Sequence, residues 1–300
     1  MKRWVVGDQD GNTLGAIVVR MGEQMRAISE GRVFVGRTRA SLPSHSVSPG
    51  DEITVSADIA PVGEVELLSV TDDLAVANKP AGIPTIPDLR GGAHSLMDRV
   101  AKVLRVAREE LHATSRLDNE VSGVVVFART KAAIERLRLA RERGEYHRRY
   151  VAIGKGLVQP ESGDWNANIG RARDPKLRTV NGREATDARS RYRVLEEASG
   201  YVCLALTPIT GRTHQLRVHA SDAGAPLVGD AAYGGPKKII LPSGKILEPR
   251  RILLHAARVT LADEGGPHVY ESPLPSLFGD VWSAVGGNGA SLEEAVRSDW

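Results

Sequence analysis

Residues 115–130 read SRLDNEVSGVVVFART, a polar loop that runs directly into a short apolar segment. Five consecutive apolar residues at 124–128 are typical of a buried strand. Asp118 and Gly123 are turn-forming residues, because a short carboxylate bonds nearby backbone amides and glycine accepts unusual dihedral angles. Thr130 can cap the helix that follows. The stretch therefore predicts a loop, a strand and a helix, and leaves open whether Asp118 only forms the turn or also takes part in chemistry.

Strand and helix patterns alternate irregularly around this unit, which favours an α+β fold with a mixed sheet over a regular βαβ series. The sequence predicts a hairpin at 67–80, an amphipathic helix at 95–110, a helix at 131–143 ended by Gly144, a strand at 148–156, a hairpin at 190–209 and a short helix at 213–224 ended by Gly224.

The N-terminal part forms a separate unit at 12–56, with a helical apolar pattern, a helix stop at Gly31 and strand-like RVFV and DEITV. It resembles a degenerate S4-type RNA-binding module, with a simple α/β appendage as the alternative. We expect a small S4-like α/β domain at 1–60 and a second domain at 61–300, with an acidic tail at about 280–300.

Composition indicates a globular protein, with 41% hydrophobic and 26% charged residues in 300. A single cysteine excludes an intrachain disulfide framework, and no apolar run is long enough to span a membrane. We therefore expect a cytoplasmic protein without membrane contact. The net charge of +3 is uneven, since residues 64–259 carry 32 Lys+Arg against 23 Asp+Glu, or +9. Arginine-rich stretches within that range suit a polyanion such as RNA, although solvated surface is the simpler interpretation of any one arginine.

Nucleotide-cofactor and metal motifs are missing from the chain. No P-loop and no GxGxxG follows a strand, and His214 and His219 are five residues apart, which is wrong for one metal-facing side of a helix. The helix that carries them places His214 and Arg217 on one face. An arginine beside apolar packing needs an anion, and a loop aspartate is a natural partner.

Several segments in order resemble the RluA family of RNA pseudouridine synthases. They are VANKPAGIPTIP (76–87), SRLDNEVSGVVVFART (115–130), RRYVAIGKG (148–156), TGRTHQLRVHASDAGAPLVGDAAYG (210–234), RILLHAARV (251–259) and ESPLPSLF (271–278). The resemblance implies the pseudouridine synthase fold, with a mixed, largely antiparallel central sheet flanked by helices and loops. It also implies isomerisation of uridine to pseudouridine in ribosomal or transfer RNA, without metal or cofactor, by a chain expected to be a monomer.

The resemblance also assigns site residues. Asp118 falls on the catalytic aspartate, Tyr150 on the tyrosine that packs against the target base, and Arg217 on the arginine paired with the aspartate. Arg116 matches the arginine that enters the RNA helix as the base flips out.

Further contacts with the substrate are expected from Lys79, Arg212, His214 and Gln215. The chain departs from the usual family pattern at Ile86, Ser115, Asn119, Glu120 and Val121, which puts the substrate and the rate in doubt more than the reaction type.

Two alternatives stay open at this point. One is an RNA-binding or ribosome-assembly factor that kept the fold and lost catalysis. The departures around Asp118 are its only support, and the intact set of Asp118, Tyr150 and Arg217 argues against it. The other is a glycoside or nucleoside hydrolase, which normally requires a second carboxylate. Glu120 and Asp230 are the nearby candidates, although Asp230 is expected to structure its turn.

Overall fold

The computed structural model describes residues 2–29, 33–36, 38–40, 42–55, 65–87, 95–241, 244–263 and 266–297. Their strands are β1 (Lys2–Val5), β2 (Val33–Val35), β3 (Thr38–Arg39), β4 (Glu52–Val55), β5 (Glu66–Val70), β6 (Leu74–Lys79), β7 (His112–Ala113), β8 (Ser122–Ala128), β9 (Tyr146–Lys155), β10 (Ser162–Trp165), β11 (Ile169–Arg171), β12 (Arg178–Val180), β13 (Arg183–Thr186), β14 (Ser190–Ala198), β15 (Tyr201–Pro208), β16 (Ile239–Ile240), β17 (Ile246–Leu247), β18 (Leu254–Asp263) and β19 (Gly266–Glu271).

The helices begin and end as follows: α1 (Leu14–Arg20), α2 (Arg26–Ser29), α3 (Leu96–Leu104), α4 (Lys131–Glu142), α5 (Gln215–Asp222), α6 (Ser276–Ala284) and α7 (Gly289–Arg297). The chain forms two compact units, one of Met1–Val65 with Ile83–Arg108 and one of Glu66–Gly82 with Glu109–Trp300. The domain boundary expected near residue 60 stays a prediction.

The first unit contains a small sheet with the strand order β1-β4-β2-β3. Leu14, Ile17 and Val18 of α1 are fully buried and pack in one cluster with Val33 and Ile53 of the sheet. The apolar periodicity of α1 therefore produces the expected helix-on-sheet arrangement. The predicted helix stop at Gly31 lies outside the described residues.

The second unit is built on a ten-stranded mixed sheet in the described part of the chain, with the order β10-β14-β15-β9-β18-β8-β6-β5. In addition, β19 pairs with β18, and β7 with β8. Strands β8 and β18 pair in parallel, while the other strand pairs of this sheet in the described part of the chain are antiparallel. The expected α+β fold with a mixed, largely antiparallel sheet is confirmed.

Strand β8 is buried at every position, as its continuous apolar sequence predicts. Its second residue, Gly123, has φ +120°, and a Cβ there would lie 2.1 Å from the carbonyl oxygen of Ala256 in β18. The glycine of the opening motif is therefore required both by its backbone conformation and by the close approach of two strands.

Capping residues define where α3 and α4 begin. Ser95 accepts from the amide of Asp98, whose carboxylate bonds the Ser95 amide in return, a capping box. Thr130 accepts from the amide of Ala133 and caps α4 as predicted. Helix α3 ends at Leu104 rather than near residue 110, because Arg105 adopts a left-handed conformation with φ 55°.

The C-terminal segment expected as an acidic tail is part of the core over its described residues. It forms α6 and α7, and their apolar faces pack against the sheet through Trp282, Val285, Leu292 and Ala295. The acidic residues belong to the other face of this amphipathic segment, so net charge alone did not distinguish it from an exposed tail.

Candidate active site

Asp118 lies in the loop between β7 and β8, one turn before the buried strand begins. Its carbonyl accepts a hydrogen bond from the amide of Val121 at 3.1 Å, which closes the expected turn. The side chain remains 25% exposed, so the carboxylate is open to an approaching substrate. The loop thus holds the backbone of Asp118 while leaving its carboxylate accessible.

Arg217, on α5, brings its guanidinium to Asp118 as predicted. Its Nη1 donates to Asp118 Oδ2 at 2.9 Å, although the two residues are 99 positions apart in the chain. The arginine side chain is only 7% exposed. Since a buried guanidinium cannot reorient without losing its partners, this contact fixes the direction of the Asp118 carboxylate.

Asp230, which was expected to structure its turn and was considered as a second carboxylate, also pairs with Arg217, and the sequence analysis did not predict this pairing. Its two carboxylate oxygens accept from Arg217 Nε at 2.7 Å and Nη2 at 2.8 Å, and its side chain is 1% exposed. Its backbone does form the expected turn, with the amide of Gly235 donating to its carbonyl at 2.8 Å. The only sequence signal for the pairing was a second aspartate close to a buried arginine.

The charge of Arg217 is stabilised by this double pairing. Burial works to lower its pKa, but the hydrogen bonds and charge of Asp230, followed by those of Asp118, raise the pKa above its ordinary value. The arginine therefore stays cationic and holds a negative carboxylate on each side.

Tyr150 lies in the middle of β9, paired with Leu206 of β15 and Ala256 of β18. It is 5% exposed, and burial raises the pKa of its phenol, with Arg148 acting in the opposite direction. The phenol is therefore neutral at pH 7, and Asp118 is close enough to contribute to its electrostatic environment.

His214 lies immediately before α5, and its imidazole is held beside Asp118. Its Nε2 is 3.9 Å from Asp118 Oδ2, and its Nδ1 is 2.6 Å from Tyr233 Oη. The structure thus brings Asp118, Arg217 and His214 together, and only the pairing of Arg217 with Asp118 was predicted.

Lys79, expected to contact the substrate, is fully buried at the end of β6. Its Nζ donates to the carbonyl oxygens of Pro80 at 3.0 Å and Asn119 at 3.2 Å. Burial, followed by the nearby charge of Arg251, lowers its pKa to about 7. Through the bond to Asn119, the residue that follows Asp118, the Lys79 side chain holds the Asp118 loop in place.

Gln215, also expected to contact the substrate, uses its amide within the protein. Its Oε1 accepts from Thr210 Oγ1 at 2.7 Å and from the Arg212 amide at 2.9 Å. Its Nε2 donates to Arg189 O at 2.9 Å and Ser190 Oγ at 2.8 Å. With both amide atoms engaged and only 4% of the residue exposed, Gln215 orders the start of α5.

The exposed arginines of the predicted set differ in how they are held. Arg116 is exposed two residues before Asp118. Arg212 is also exposed, but its Nε donates to Asp187 O at 2.8 Å. Arg212 lines an open groove together with Arg171 and Arg178, so a cationic surface lies near the start of α5.

A buried polar chain anchors the far end of the Asp118 loop. Arg251 Nη2 donates to Ser122 Oγ at 2.6 Å, and Ser122 Oγ lies 2.7 Å from His255 Nδ1. Burial lowers the pKa of His255 to about 4 and that of Arg251 to about 10. Ser122 begins β8, so the loop of Asp118 is fixed at this end as well as by Lys79.

The arrangement of the two aspartates does not suit hydrolysis by paired carboxylates. Asp118 is accessible, whereas Asp230 is buried against Arg217 and is not placed to activate water. Within the ranges given above, no group of three or more His, Cys, Asp or Glu side chains is arranged to hold a metal ion. No helix in the described part of the chain is long and apolar enough to cross a membrane.

Comparison with known proteins identifies the family of this chain. Residues 73–222 match the family described as RNA pseudouridylate synthase. An uncharacterised RNA pseudouridine synthase of Bacillus subtilis is 32% identical over 235 residues, covering 75% of this chain and 74% of the relative. Ribosomal large subunit pseudouridine synthase C of Rickettsia bellii is 30% identical over 247 residues, covering 80% and 77%.

Solved structures give the same result. The human RNA pseudouridylate synthase domain containing 1 has a TM-score of 0.60 and 25% identity, covering 81% of this chain and 98% of its own. The fold and the site together define a uridine-isomerising enzyme that acts on RNA. The chain belongs to the RNA pseudouridine synthase family, as the resemblance to the RluA group indicated.

Proposed function

We propose that this protein converts uridine to pseudouridine in ribosomal RNA, with Asp118 as its catalytic carboxylate. The observation that carries the proposal is the 2.9 Å hydrogen bond from Arg217 to Asp118. The arginine is buried and fixes the direction of the carboxylate, while the carboxylate itself stays accessible. Relatives named as ribosomal large subunit pseudouridine synthases favour ribosomal over transfer RNA. These include synthase D of Nitrosomonas europaea, 31% identical over 231 residues.

The reaction is an isomerisation whose atoms balance without a co-reactant. The bond from N1 of uracil to C1′ of ribose breaks, the base turns, C5 bonds to C1′ and loses its proton to solvent, and N1 gains a proton from solvent. As the first bond breaks, C1′ becomes electron-poor, and a carboxylate held beside it stabilises that charge. We assign this task to Asp118, with the hydrogen bond from Arg217 fixing the direction of its carboxylate.

Tyr150 supports the second half of the reaction in this proposal. Its neutral aromatic ring is of the flat, apolar kind against which a detached uracil can be retained, and the 5% of the residue that is exposed is the part that would meet the base. Retention is needed because water reaching C1′ would hydrolyse the sugar instead of allowing the base to rejoin. The proposed role of Tyr150 is therefore to hold the base with C5 facing C1′.

Arg116 is proposed to enter the RNA stack when the target base leaves it. The residue is exposed and lies two positions from Asp118, where a flipped nucleotide has to arrive. Extracting a base costs a few kcal/mol, and a side chain filling the gap offsets part of that cost. We infer that Arg212 and neighbouring arginines contact phosphates, whereas Lys79 and Gln215 position the loop and α5.

The proposal is tested with RNA transcripts that carry tritium at C5 of uridine. The wild-type protein is expected to release tritium while the RNA stays intact, and Asp118→Ala is expected to release none. Release of free uracil would indicate a hydrolase. RNA binding without tritium release from ribosomal or transfer RNA would contradict catalysis and favour the RNA-binding factor.

We further propose a cytoplasmic monomer whose N-terminal unit is an S4-like RNA-binding module. The module rests on the order of helix and strands in α1, β2 and β4, while the net charge of zero over residues 1–63 counts against RNA binding there, in contrast to the +9 of residues 64–259. Sedimentation of the full chain, alone and with RNA, tests the oligomeric state. A dimer in the absence of RNA would contradict that part of the proposal.

A further inference from the structure

The imidazole of His214 presents one nitrogen to the space beside Asp118. The 3.9 Å between Nε2 and Asp118 Oδ2 is too long for a hydrogen bond. Among the described residues, no acceptor is recorded within hydrogen-bonding distance of this Nε2. The residue is a fixed part of the fold, since it has φ 58° and immediately precedes α5. Nε2 is therefore held in place beside Asp118, where it can form a hydrogen bond with a bound substrate.

The other nitrogen determines which one carries the hydrogen. His214 Nδ1 lies 2.6 Å from Tyr233 Oη, and the same Oη accepts a hydrogen bond from the backbone amide of Arg178 at 3.0 Å. The phenol hydrogen needs an acceptor of its own, and within the described part of the chain His214 Nδ1 is the side-chain group recorded at hydrogen-bonding distance from this oxygen. Donation from Tyr233 to Nδ1 satisfies that hydrogen, and it leaves the hydrogen of a neutral imidazole on Nε2.

The surroundings keep this imidazole neutral. Burial lowers the pKa of His214, and the charge of Asp118 acts in the opposite direction. Arg217 and Arg178 also lower it, while Asp230 raises it slightly. The imidazole also meets the ring of Tyr233 edge-on, with centroids 5.6 Å apart. At pH 7 the site therefore contains a neutral donor next to a negative carboxylate.

We propose that Tyr233 is a positioning residue that holds His214 in this tautomer, and that His214 Nε2 donates to a ribose oxygen of the target uridine. The inference rests on the proposed role of Asp118 at C1′, because the oxygens that flank C1′ would then lie close to Nε2. A donor fixed there orients the sugar before the glycosidic bond breaks. It also offers a contact to the 2′-hydroxyl, the group that distinguishes RNA from DNA.

The tautomer is tested without substrate by nitrogen NMR of the full chain labelled with ¹⁵N-histidine. The resonances of His214 are identified as those lost in His214→Gln. The wild type is expected to show the Nε2–H tautomer at pH 7, and Tyr233→Phe, which keeps the ring and loses the hydroxyl, a mixture of both tautomers. A wild-type Nδ1–H tautomer, or no change in Tyr233→Phe, would overturn the role of Tyr233.

The ribose contact is tested by tritium release with two variants of similar size. Glutamine places an amide NH₂ near the position of Nε2, while asparagine places it near Nδ1. His214→Asn is expected to lower kcat about 100-fold, the usual effect of removing one aligned donor, whereas His214→Gln keeps activity within about tenfold of wild type. Equal activity of the two variants would overturn the contact.

Tyr233→Phe has its own kinetic signature. Without the hydroxyl, part of the neutral imidazole takes the Nδ1–H tautomer, which has no donor at Nε2, so kcat is expected to fall in proportion to the share of that tautomer seen by NMR, with KM nearly unchanged. A kcat that stayed at the wild-type value while NMR showed both tautomers would contradict the role of Tyr233. If the wild type released no tritium, the proposed function and the ribose contact would both fail, while NMR would still decide the tautomer.

Discussion

Two aspartates from distant parts of the chain bond to one arginine in this enzyme. Asp230 accepts two of the three hydrogen bonds recorded for the Arg217 guanidinium and is almost completely buried, while Asp118 accepts the third and is accessible. The two carboxylates therefore differ in task because their environments differ. One fixes the arginine, and the other is left to meet the substrate.

Replacing Asp230 by asparagine tests this division of tasks. Removing its charge loosens Arg217, and a misdirected Asp118 carboxylate is expected to lower kcat about 100-fold. Breaking a buried ion pair is also expected to lower the free energy of unfolding by about 3 kcal/mol or more. Tritium release and urea unfolding measure the two effects.

Asp164 provides the control for that experiment. It pairs with Arg191 on the surface at 2.9 Å, with both side chains more than 40% exposed. Asp164→Asn is expected to leave kcat unchanged and to alter stability by less than about 1 kcal/mol. If Asp230→Asn behaved like this control, Asp230 would not be the residue that fixes Arg217.

Lys79 makes the stability of the fold depend on pH. Its pKa falls from 10.5 to about 7 on burial, so between these values the unfolded chain binds more protons than the folded one. Stability from this group is therefore expected to rise with pH from about 7 to 10.5, by at most about 1.4 kcal/mol per pH unit. Below pH 7 the lysine is protonated in both states and its contribution is constant.

Urea unfolding of the wild type and of Lys79→Met at pH 7, 8 and 9 measures this slope. The wild type should gain stability relative to the methionine variant as pH rises. Parallel curves for the two proteins would show that Lys79 does not change its protonation on folding.

At the scale of elements, the loop of Asp118 is held at both ends by strands. Lys79 at the end of β6 bonds Asn119 O, and Ser122 at the start of β8 is bonded by Arg251. Because both ends are attached to strands, the short loop holds the Asp118 carboxylate in one position. Its departures from the family pattern at Asn119, Glu120 and Val121 leave both attachments intact, because one attachment uses a backbone carbonyl and the other uses Ser122.

Gly123→Ala tests the packing between β8 and β18. The added Cβ would meet the Ala256 carbonyl at 2.1 Å in a residue with φ +120°, so the strands would have to separate. We expect a loss of several kcal/mol of stability, or failure to fold, on the scale of severe strain in a core. Thermal unfolding and soluble yield report the effect.

Gly144→Ala is the matched control, because Gly144 also has a positive φ of +71° but nothing lies within 4 Å of an added Cβ. Its cost should be limited to backbone strain, about 1 kcal/mol. Equal destabilisation by the two variants would contradict the role assigned to the contact between the strands.

At the scale of the whole molecule, charge is divided along the chain. Residues 64–259 carry a net +9, while residues 260–300 carry 1 Lys+Arg and 7 Asp+Glu, or −6. RNA affinity is therefore expected to fall steeply with salt, about 1000-fold between 50 and 200 mM if several phosphates are contacted. Filter binding across this range measures the slope, and a flat dependence would exclude a phosphate-dominated interface.

Turnover of bound RNA should respond to salt much less than affinity does. The bond between Arg217 and Asp118 involves an arginine side chain only 7% exposed, so ions screen it less than they screen surface arginines. A kcat at saturating RNA that fell in parallel with affinity would argue against this protected pair.

The sequence by itself determined the order of the elements, the buried strand β8, the cap at Thr130 and the presence of the family's motifs. These follow from local periodicity, local capping chemistry and residue types in a recognisable order. The sequence did not reveal that the acidic C-terminal segment packs into the core, since the composition of a segment does not specify which face it buries.

Only the tertiary structure decided how the side chains of the motifs divide their tasks. In the folded protein, Lys79 and Gln215 bond to groups inside the protein. Asp230 is the second partner of Arg217, and the imidazole of His214 contacts Tyr233. The physical reason is that these bonds join residues brought together by the sheet and α5, including a pair 99 positions apart. Local sequence sets which groups are available, and the packing of distant elements sets which of them face each other and which face the substrate.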